Sequence, residues 1–324
     1  MTDLLAVALA VARASQVTTL SAVFRRNFLI FHSGALGDFI VTWPIAMAAS
    51  RLYAQSRVIY VTSSEKGALA ERLLRVDSTD VEGGWSELYS ESPALSEKTW
   101  KMLDGTHFAL SFISSANDRW SENFQRIAPE AHLVHLQTKE PESAPPRHVT
   151  EYLLEQLKPA PALYSATTQM LKWVRANGIG SRILKRDAPI VIHPGSGAPR
   201  KCWPADRFVE LAEKLRANGQ SVRFVLGEVE REQWPAERID RLRMVADIAQ
   251  PKTYGELYDL IAPSRAFVGN DTGPTHLAAI CGVPTVAIFG SDPTRWQPIG
   301  PRVSVVQGAS IEAISIDDVV GALQ

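Results

Sequence analysis

The sequence contains little cysteine and no run of basic residues. Among its 324 residues are two cysteines, Cys202 and Cys281, which lie in unrelated surroundings. Two isolated cysteines provide neither a disulfide framework nor the spacing of metal ligands, and they suit a protein kept in a reducing cytoplasm. The formal net charge is −1 and no block of lysine or arginine occurs, so the composition disfavours a protein that binds nucleic acid.

Two common nucleotide-binding motifs are also absent. The chain contains neither G-x-x-x-x-G-K-[ST], the phosphate loop of many nucleotide triphosphatases, nor G-x-G-x-x-G, the fingerprint of dinucleotide-binding domains. A phosphate site in this protein must therefore be built from other loops.

The N-terminal residues are apolar but do not fit a signal peptide. The stretch "LLAVALAVARA" at residues 4–14 follows a segment with Asp3 and without lysine or arginine, whereas a signal peptide begins with positive charge. A membrane-spanning helix would hold Arg13 near its middle, which is costly. We therefore predict that residues 1–26 form an extra helix, either packed on the body of the protein or lying on a membrane surface.

From Asn27 onward, short strand-like runs alternate with helical patterns. A chain of 324 residues exceeds what one hydrophobic core usually supports, which indicates two domains. Strands separated by helices predict parallel sheets, so we expect two α/β domains, each a doubly wound sheet of the Rossmann-like type. We place them at residues 1–165 and 166–324, with the junction in the proline- and glycine-containing stretch 158–189.

The segment "VGNDTGPTHLAAICGVP" (268–284) predicts a phosphate site. A strand ends near residue 270 and Pro274 suits the first turn of a helix, so Asp271, Thr272 and Gly273 occupy the turn between them. In parallel sheets, ligands bind at the carboxyl ends of strands, and the N–H groups that begin a helix favour an anion. The alternative is that Asp271 or Thr272 only caps the helix.

A second glycine loop follows an earlier strand of the same domain. The segment "IHPGSGAPRKCWP" (192–204) contains Ser196 and Gly197, and then Arg200 and Lys201. Because the carboxyl ends of parallel strands open at one edge of the sheet, the two loops should face the same space. Together with one lysine, they predict a cradle for a diphosphate.

Five stretches of the chain carry the motifs of one family in the family's order. They are "SGALGDFIVTWP", "HPGSGAPRKCWPADRFVELAEKL", "LGEVERE", "GNDTGPTHLAAICGVPTVAIFG" and "SDPTRWQPIGP". Together they resemble glycosyltransferase family 9, the heptosyltransferases of bacterial lipopolysaccharide core synthesis. The resemblance runs from about Phe28 to the C-terminus and is loose between residues 77 and 150.

This resemblance implies a GT-B fold, in which two Rossmann-like domains face each other across a cleft. It implies that the first domain binds an acceptor and the second a nucleotide-sugar, commonly ADP-L-glycero-D-manno-heptose. The family transfers its sugar with inversion and without a metal ion, and this sequence contains no Asp-x-Asp metal-binding motif. No cofactor is expected beyond the nucleotide-sugar, which is expected to be ADP-linked.

On the acceptor side, the resemblance assigns the general base to Asp38 in "GALGD". A base must take the proton of the acceptor hydroxyl as it attacks the anomeric carbon. The alternative for Asp38 is an N-cap of the following helix. His32 and His193, both at strand ends, are rival candidates for the base. Gly34 and Gly37 are expected to leave room for the substrates beside Asp38.

On the donor side, Lys201 matches the family's lysine and is predicted to bind the diphosphate. Thr272 and Gly273 are predicted to donate main-chain N–H groups to the leaving phosphate, and Ser196 and Gly197 to add to them.

Three further residues complete the predicted donor site. Asp271 beside a diphosphate is unfavourable by charge, so its side chain is expected to serve the loop or His276. Glu230, which follows the strand "RFVLG", is a predicted acceptor for ribose hydroxyls. Its alternative is a solvated charge at a helix start.

Other residues have weaker assignments. Lys66, Arg119 and Arg126 follow strand ends in the first domain and are candidates for contact with an acidic acceptor, although charged surface is the default. Met244 is a candidate neighbour of the adenine or a core residue, and Trp296 is expected to pack the last loop near the donor.

The functional hypothesis is an inverting, metal-independent glycosyltransferase that moves a sugar, heptose by resemblance, onto a hydroxyl of a glycan or glycolipid acceptor. We expect a cytoplasmic protein, with peripheral association at the inner membrane as an option. Two alternatives stay open: a nucleotide-sugar epimerase on the same fold, and a nucleotide-binding or scaffold protein without activity. An epimerase would act without an acceptor, which distinguishes it from a transferase.

Overall fold

The computed structural model of this protein describes residues 26–141, 143–180 and 187–323. Except for its last residue, the N-terminal segment predicted at 1–26 lies outside these ranges. Within them, no helix is long and apolar enough to cross a membrane. The described residues form two parallel sheets flanked by helices, as the alternating pattern predicts.

The first sheet has five strands in the order β3-β2-β1-β4-β5. The strands are β1 (Asn27–Phe31), β2 (Arg57–Thr62), β3 (Asp77–Asp80), β4 (Thr106–Ser111) and β5 (His132–His135). Alternate residues of β1 enter two different apolar clusters, Phe28 and Ile30 on one face and Leu29 and Phe31 on the other. Helices therefore cover both faces of the sheet, as a parallel sheet requires.

Among the described residues, seven α-helices accompany this sheet and complete what we call the N-terminal unit. They are α1 (Leu36–Ile40), α2 (Trp43–Leu52), α3 (Ser64–Leu74), α4 (Glu97–Asp104), α5 (Arg119–Ile127), α6 (Val149–Gln156) and α7 (Pro161–Asn177). The structure divides residues 36–52 into two helices, α1 and α2. Pro44 has no N–H to bond the preceding turn, so it begins a new helix instead.

The second sheet has six strands in the order β11-β10-β9-β6-β7-β8. They are β6 (Ile190–His193), β7 (Val222–Val225), β8 (Asp247–Ala249), β9 (Ala266–Asn270), β10 (Thr285–Phe289) and β11 (Val303–Gln307). The flanking helices are α8 (Ala205–Ala217), α9 (Glu228–Gln233), α10 (Ala236–Val245), α11 (Tyr254–Ile261), α12 (Gly273–Ile280) and α13 (Ile316–Gly321). This sheet and these helices form the C-terminal unit.

In each sheet the order in which the chain adds strands reverses between two neighbouring strands. This reversal determines where the site lies. In the N-terminal unit the change lies between β1 and β4, and in the C-terminal unit between β6 and β9. Open α/β sheets bind ligands in the crevice at such points, outside the carboxyl ends of the strands. The turns after β1, β6 and β9 are therefore where ligands are expected.

The connection between the units runs through α7, which packs along α2 of the N-terminal unit. The domain boundary predicted after residue 165 lies within this continuous helix of 17 residues. The helix ends at Gly178, whose φ of 68° lies in the left-handed region that glycine adopts without strain.

The two units also meet directly beside the turns just named. Helix α1 packs against α12, and the side chain of Leu36 occupies the space where a Cβ on Gly273 would stand, 2.7 Å from the Leu36 Cβ. Gly273 is thus required for the contact between the units, which sequence reasoning did not anticipate. The units are closed on each other at this point.

Candidate active site

A cavity of about 750 Å³ lies between the two units. Its wall includes nine of the residues predicted for the site, namely Gly37, Asp38, Ser196, Gly197, Lys201, Asp271, Thr272, Gly273 and His276. The structure therefore brings the turn after β1 and the two loops of the C-terminal unit to one space.

The turn after β9 leads into the start of a helix that has no side-chain cap. Thr272 stands at the N-cap of α12 but makes no side-chain cap bond, and Pro274 lies in the first turn. The first main-chain bonds of the helix run from the N–H groups of Thr275 and His276 to the Thr272 carbonyl. The preceding N–H groups of Thr272 and Gly273 belong to the unpaired start of the helix, where an anion is stabilised. The capping alternative is therefore wrong for Thr272.

Asp271 is occupied by an ion pair. Its Oδ2 lies 2.5 Å from Lys201 Nζ, and its Oδ1 lies 3.7 Å from Nε2 of the buried His276. Burial acts to raise the pKa of Asp271, but His276 and Lys201 outweigh that effect, so the pKa lies below its ordinary value. Asp271 is thus an ionised anchor for the lysine and not a helix cap, in agreement with the predicted role in the loop.

Asn270, at the end of β9, joins the two loops of the C-terminal unit. It is fully buried; its Nδ2 donates to the carbonyls of Pro194 and Gly195, and its Oδ1 accepts from the Trp203 N–H at 3.0 Å. One amide side chain thus fixes both ends of the 194–203 loop against the 271–273 turn. Sequence reasoning took Asn270 only as a strand end.

In the N-terminal unit, the carboxylate of Asp38 is uncommitted. Asp38 lies within α1, whose N-cap is Ala35, and no side-chain cap bond is formed there. Within the described ranges, no other residue makes a hydrogen bond or ion pair with the carboxylate, while Asp38 itself faces the cavity. The N-cap alternative is wrong, and the oxygens are available to a substrate.

The two histidines proposed as rival bases are buried and stand apart from the cavity wall. His32 is 1 % exposed, and burial, aided by the charge of Lys66, lowers its pKa to about 3. His193 is 4 % exposed, with Nδ1 3.0 Å from the Val225 carbonyl oxygen. Neither ring reaches the cavity, so both have structural positions.

A cluster of charged residues at the other end of the cavity was missed in the sequence. The carboxylate of Glu140, 6 % exposed, accepts from Arg147 at 2.7 Å and from Arg295 at 3.1 Å. The Arg295 guanidinium also donates to the Ala144 carbonyl at 2.8 Å, and the main-chain carbonyl of Arg295 accepts from the Val149 N–H at 3.0 Å. These bonds join the 138–149 loop of one unit to the 290–301 loop of the other.

The three residues lie in loops without periodicity, so the sequence holds little that could have revealed their meeting. The available signal was position: both loops follow the carboxyl ends of parallel strands, β5 and β10. Trp296, in the same loop as Arg295, also lines the cavity and packs against the main apolar cluster, as predicted.

Two predicted site residues do not line the cavity. Gly34 is exposed and lies beside His32. A Cβ atom at this position would stand 3.0 Å from the His32 Cε1. Glu230 is 2 % exposed and accepts from the Gly227 N–H at 2.8 Å, which begins α9. Its carboxylate lies against Gly195, so a ribose could reach it only if that loop moved. The alternative of a solvated charge is wrong.

The residues with weaker assignments differ in burial, and none of the four that follow lines the cavity. Lys66 is buried at 7 % exposure, contrary to the expected charged surface, whereas Arg119 and Arg126 are exposed on α5 away from the cavity. Met244 is 78 % exposed, so it is neither a core residue nor a neighbour of the cavity.

The cavity wall carries more positive than negative charge. Five basic side chains line it, against three acidic ones: Lys139, Arg147, Arg200, Lys201 and Arg295, and Asp38, Glu140 and Asp271. In the described residues, no three His, Cys, Asp or Glu side chains are grouped to hold a metal ion. A partly enclosed space with excess positive charge attracts an anionic ligand.

Comparison with known proteins gives the family. The model of glycosyltransferase family 9 (heptosyltransferase) matches residues 147–317, more than half of the chain. The chain belongs to glycosyltransferase family 9. The matched region of this family 9 chain covers the C-terminal unit up to residue 317, at the start of α13, and includes Lys201 and the 271–273 turn.

One curated relative is lipopolysaccharide heptosyltransferase 3 of Escherichia coli K12. It is 24 % identical over 186 residues, which are 55 % of this family 9 chain and 51 % of the relative. A lipooligosaccharide heptosyltransferase 2 of Haemophilus influenzae is 29 % identical over 36 % of each chain. The chain thus spans about half the length of the first relative and about a third of the second.

Solved structures share the fold over almost the whole chain. A family 9 glycosyl transferase from Veillonella parvula superposes with a TM-score of 0.69, at 17 % identity, over 92 % of this chain and 95 % of its own. An E. coli heptosyltransferase solved with ADP gives a TM-score of 0.62, at 17 % identity, over 91 % and 98 %. The fold is the GT-B arrangement of two facing Rossmann-like units, as the resemblance implied.

Proposed function

We propose that this protein is a glycosyltransferase that moves a heptose from ADP-heptose to a hydroxyl of a lipopolysaccharide-core-like acceptor, with inversion and without a metal ion. The observation that carries the proposal is the pairing of two turns across one cavity. An uncommitted carboxylate, Asp38, stands on one side, and an anion site with Lys201 stands on the other.

The donor is assigned to the C-terminal unit. Its diphosphate is placed at the N–H groups of Thr272 and Gly273, with the Lys201 ammonium beside it and Ser196 and Gly197 at the rim. Asp271 keeps the ammonium at this position. The ADP in the E. coli heptosyltransferase structure supports adenine as the base, and the family description supports heptose as the sugar.

The reaction is a single displacement. Asp38 accepts the proton of the acceptor hydroxyl as its oxygen bonds to the anomeric carbon. The bond from that carbon to the β-phosphate oxygen breaks, and both of its electrons leave with ADP. Because the attack comes from the face opposite the leaving group, the configuration at the anomeric carbon inverts.

The stabilisation of the negative charge that develops on ADP is assigned to groups of the protein itself. Lys201 and Arg200 lie on the donor side of the cavity, and the helix start adds partial positive charge. These groups would stabilise the leaving diphosphate in the role that a divalent cation has in other transferases. Metal independence follows from this assignment and is part of the proposal.

The acceptor is assigned to the part of the cavity wall formed by the 138–149 loop of the N-terminal unit and by Arg295 of the C-terminal unit. Lys139 and the two arginines held by Glu140 present positive charge there, so an acceptor with acidic groups fits this wall. A lipopolysaccharide core is a glycolipid, and the proposal therefore has the protein act in the cytoplasm at the inner membrane surface.

Two measurements on the purified full chain test the proposal. Thermal unfolding with ADP, UDP and GDP should show stabilisation by ADP, by roughly 2.7 kcal/mol at a hundredfold excess over Kd. ADP release from ADP-L-glycero-D-manno-heptose should then require heptose-free lipopolysaccharide core. Release without an acceptor would favour an epimerase, and ADP binding without any release would favour a binding protein.

A further inference from the structure

A buried lysine lies directly behind the turn that carries Asp38. Lys66 is in the first turn of α3, and its Nζ donates to the Gly34 carbonyl at 2.6 Å. The same Nζ stands 5.9 Å from the ring centroid of Phe39. Gly34 and Phe39 bracket Asp38 in the chain, so one ammonium contacts the turn on both sides of the carboxylate.

The position of Lys66 is unfavourable for a residue with only a structural role. A cation in the first turn of a helix opposes the helix dipole, and burial of an ammonium is costly. Among the residues that the structure describes, Lys66 forms no ion pair that would offset this cost. Burial lowers the pKa of Lys66 below its ordinary value, and the charge of Asp38 opposes that shift.

Lys66 does not line the cavity, so it is not placed to contact a substrate. The charged or titratable groups around Asp38 are His32 behind the turn, Lys66 on α3, His276 on α12, and Lys201 and Asp271 across the cavity. Of these, Lys66 alone combines a bond to the turn with a positive charge behind the carboxylate.

We propose that Lys66 is a positioning residue for Asp38: its ammonium fixes the turn that aims the carboxylate into the cavity and keeps a positive charge behind it. This inference rests on the proposed function, since it gives Asp38 the role of base. It adds a residue of the N-terminal unit whose effect on transfer is indirect.

The first test separates turnover from binding. Lys66→Met removes both the hydrogen bond to Gly34 and the positive charge, whereas Lys66→Gln keeps a hydrogen-bond donor but not the charge. We expect kcat to fall roughly tenfold in Lys66→Met and by less in Lys66→Gln, with KM for ADP-heptose and Kd for ADP within about twofold of the parent. Lys101→Gln, an exposed lysine on α4, is the matched control and should keep both values.

Unchanged kcat in both Lys66 variants would overturn the proposal. So would a rise in Kd for ADP with kcat unchanged, because that result would make Lys66 a donor contact.

The second test needs neither substrate nor a Lys66 variant. In protein labelled at lysine, the Cε resonance of Lys66 is titrated by NMR in the parent and in Asp38→Asn. Because the Asp38 charge raises the pKa of Lys66, its loss should lower that pKa. An unchanged titration of Lys66 would overturn the proposal even if the protein is shown to transfer heptose. A shifted titration would support the proposal even if ADP-heptose proves not to be the donor.

Discussion

The turns after β1 and β9 are built alike but use their charges differently. Each contains an aspartate, each has a buried histidine nearby, and each receives a lysine from another element. In the turn after β9, Lys201 pairs directly with Asp271. In the turn after β1, Lys66 bonds the main chain at Gly34 and leaves the Asp38 carboxylate uncommitted.

This difference in pairing determines what each carboxylate can do chemically. A carboxylate already paired with a lysine is a poor proton acceptor, but it holds that lysine in place for an anion. A carboxylate without a partner can accept a proton from a substrate hydroxyl. The same residue types therefore give an ion-paired carboxylate in one unit and an uncommitted carboxylate in the other.

The largest effect should come from the uncommitted carboxylate. Asp38→Asn removes the proton acceptor while keeping the shape of the turn, so transfer should fall roughly 10²- to 10⁴-fold. The Kd for ADP should stay within about twofold, because the substitution removes neither a positive charge nor an N–H donor of the proposed donor site. Kinetics of ADP release and calorimetric ADP titration measure the two quantities.

Asp104→Asn, at the exposed end of α4, is the matched control and should leave transfer intact. Equal transfer by Asp38→Asn and the parent would remove Asp38 as the base.

The paired turn should respond in the opposite manner. Lys201→Met keeps the side chain's bulk and removes its charge, so the Kd for ADP should rise roughly tenfold, or about 1.4 kcal/mol. Calorimetry checks this, with Lys172→Met on the exposed face of α7 as control. An unchanged Kd would mean that Lys201 serves only Asp271.

A smaller effect is expected at the charged cluster between the loops. Glu140→Gln leaves Arg147 and Arg295 without their shared carboxylate, so the acceptor wall should loosen and KM for the lipopolysaccharide acceptor should rise a few-fold. The Kd for ADP should not change. Glu213→Gln, at an exposed position of α8, is the control, and a shift confined to ADP binding would contradict the acceptor assignment.

The buried histidine of the first turn predicts a change in stability with pH. The pKa of His32 is about 3 in the folded protein, whereas about 6.5 is usual in an unfolded chain. Between these values the unfolded chain binds the additional proton, so acidification lowers the free energy of unfolding, by at most about 1.4 kcal/mol per pH unit. Urea unfolding from pH 7 to 4 should show a shallower dependence in His32→Gln; an identical slope would contradict the buried neutral ring.

The strand and loop pattern was sufficient to predict the two turns. "AFVGND" and "NFLIFHS" are apolar runs that end in polar residues, and topology then fixes where those residues go. The roles came from motif resemblance, since spacing alone left Asp38 and Asp271 open to a capping role. The edge strands β3, β8 and β11 are harder to predict, because their half-buried, mixed residues lack the apolar signal of the central strands.

Tertiary contacts account for the remaining misses. In "SEKGALAERLL" Lys66 looks like a surface residue. The helical pattern does not show which side of α3 is covered by residues 33–38. Arg295 meets Glu140 only through the contact between the two units, and Asn270 reaches two carbonyls about 75 residues away in the chain. No local pattern encodes such distances.

The central claim is that the anion site and the base face each other across the cavity. A crystal structure of the full chain with ADP tests it most directly. The account predicts the diphosphate at the Thr272 and Gly273 N–H groups, in contact with Lys201, with the Asp38 carboxylate across the remaining space. A diphosphate bound instead at Arg147 and Arg295, or on the Asp38 side of the cavity, would contradict it.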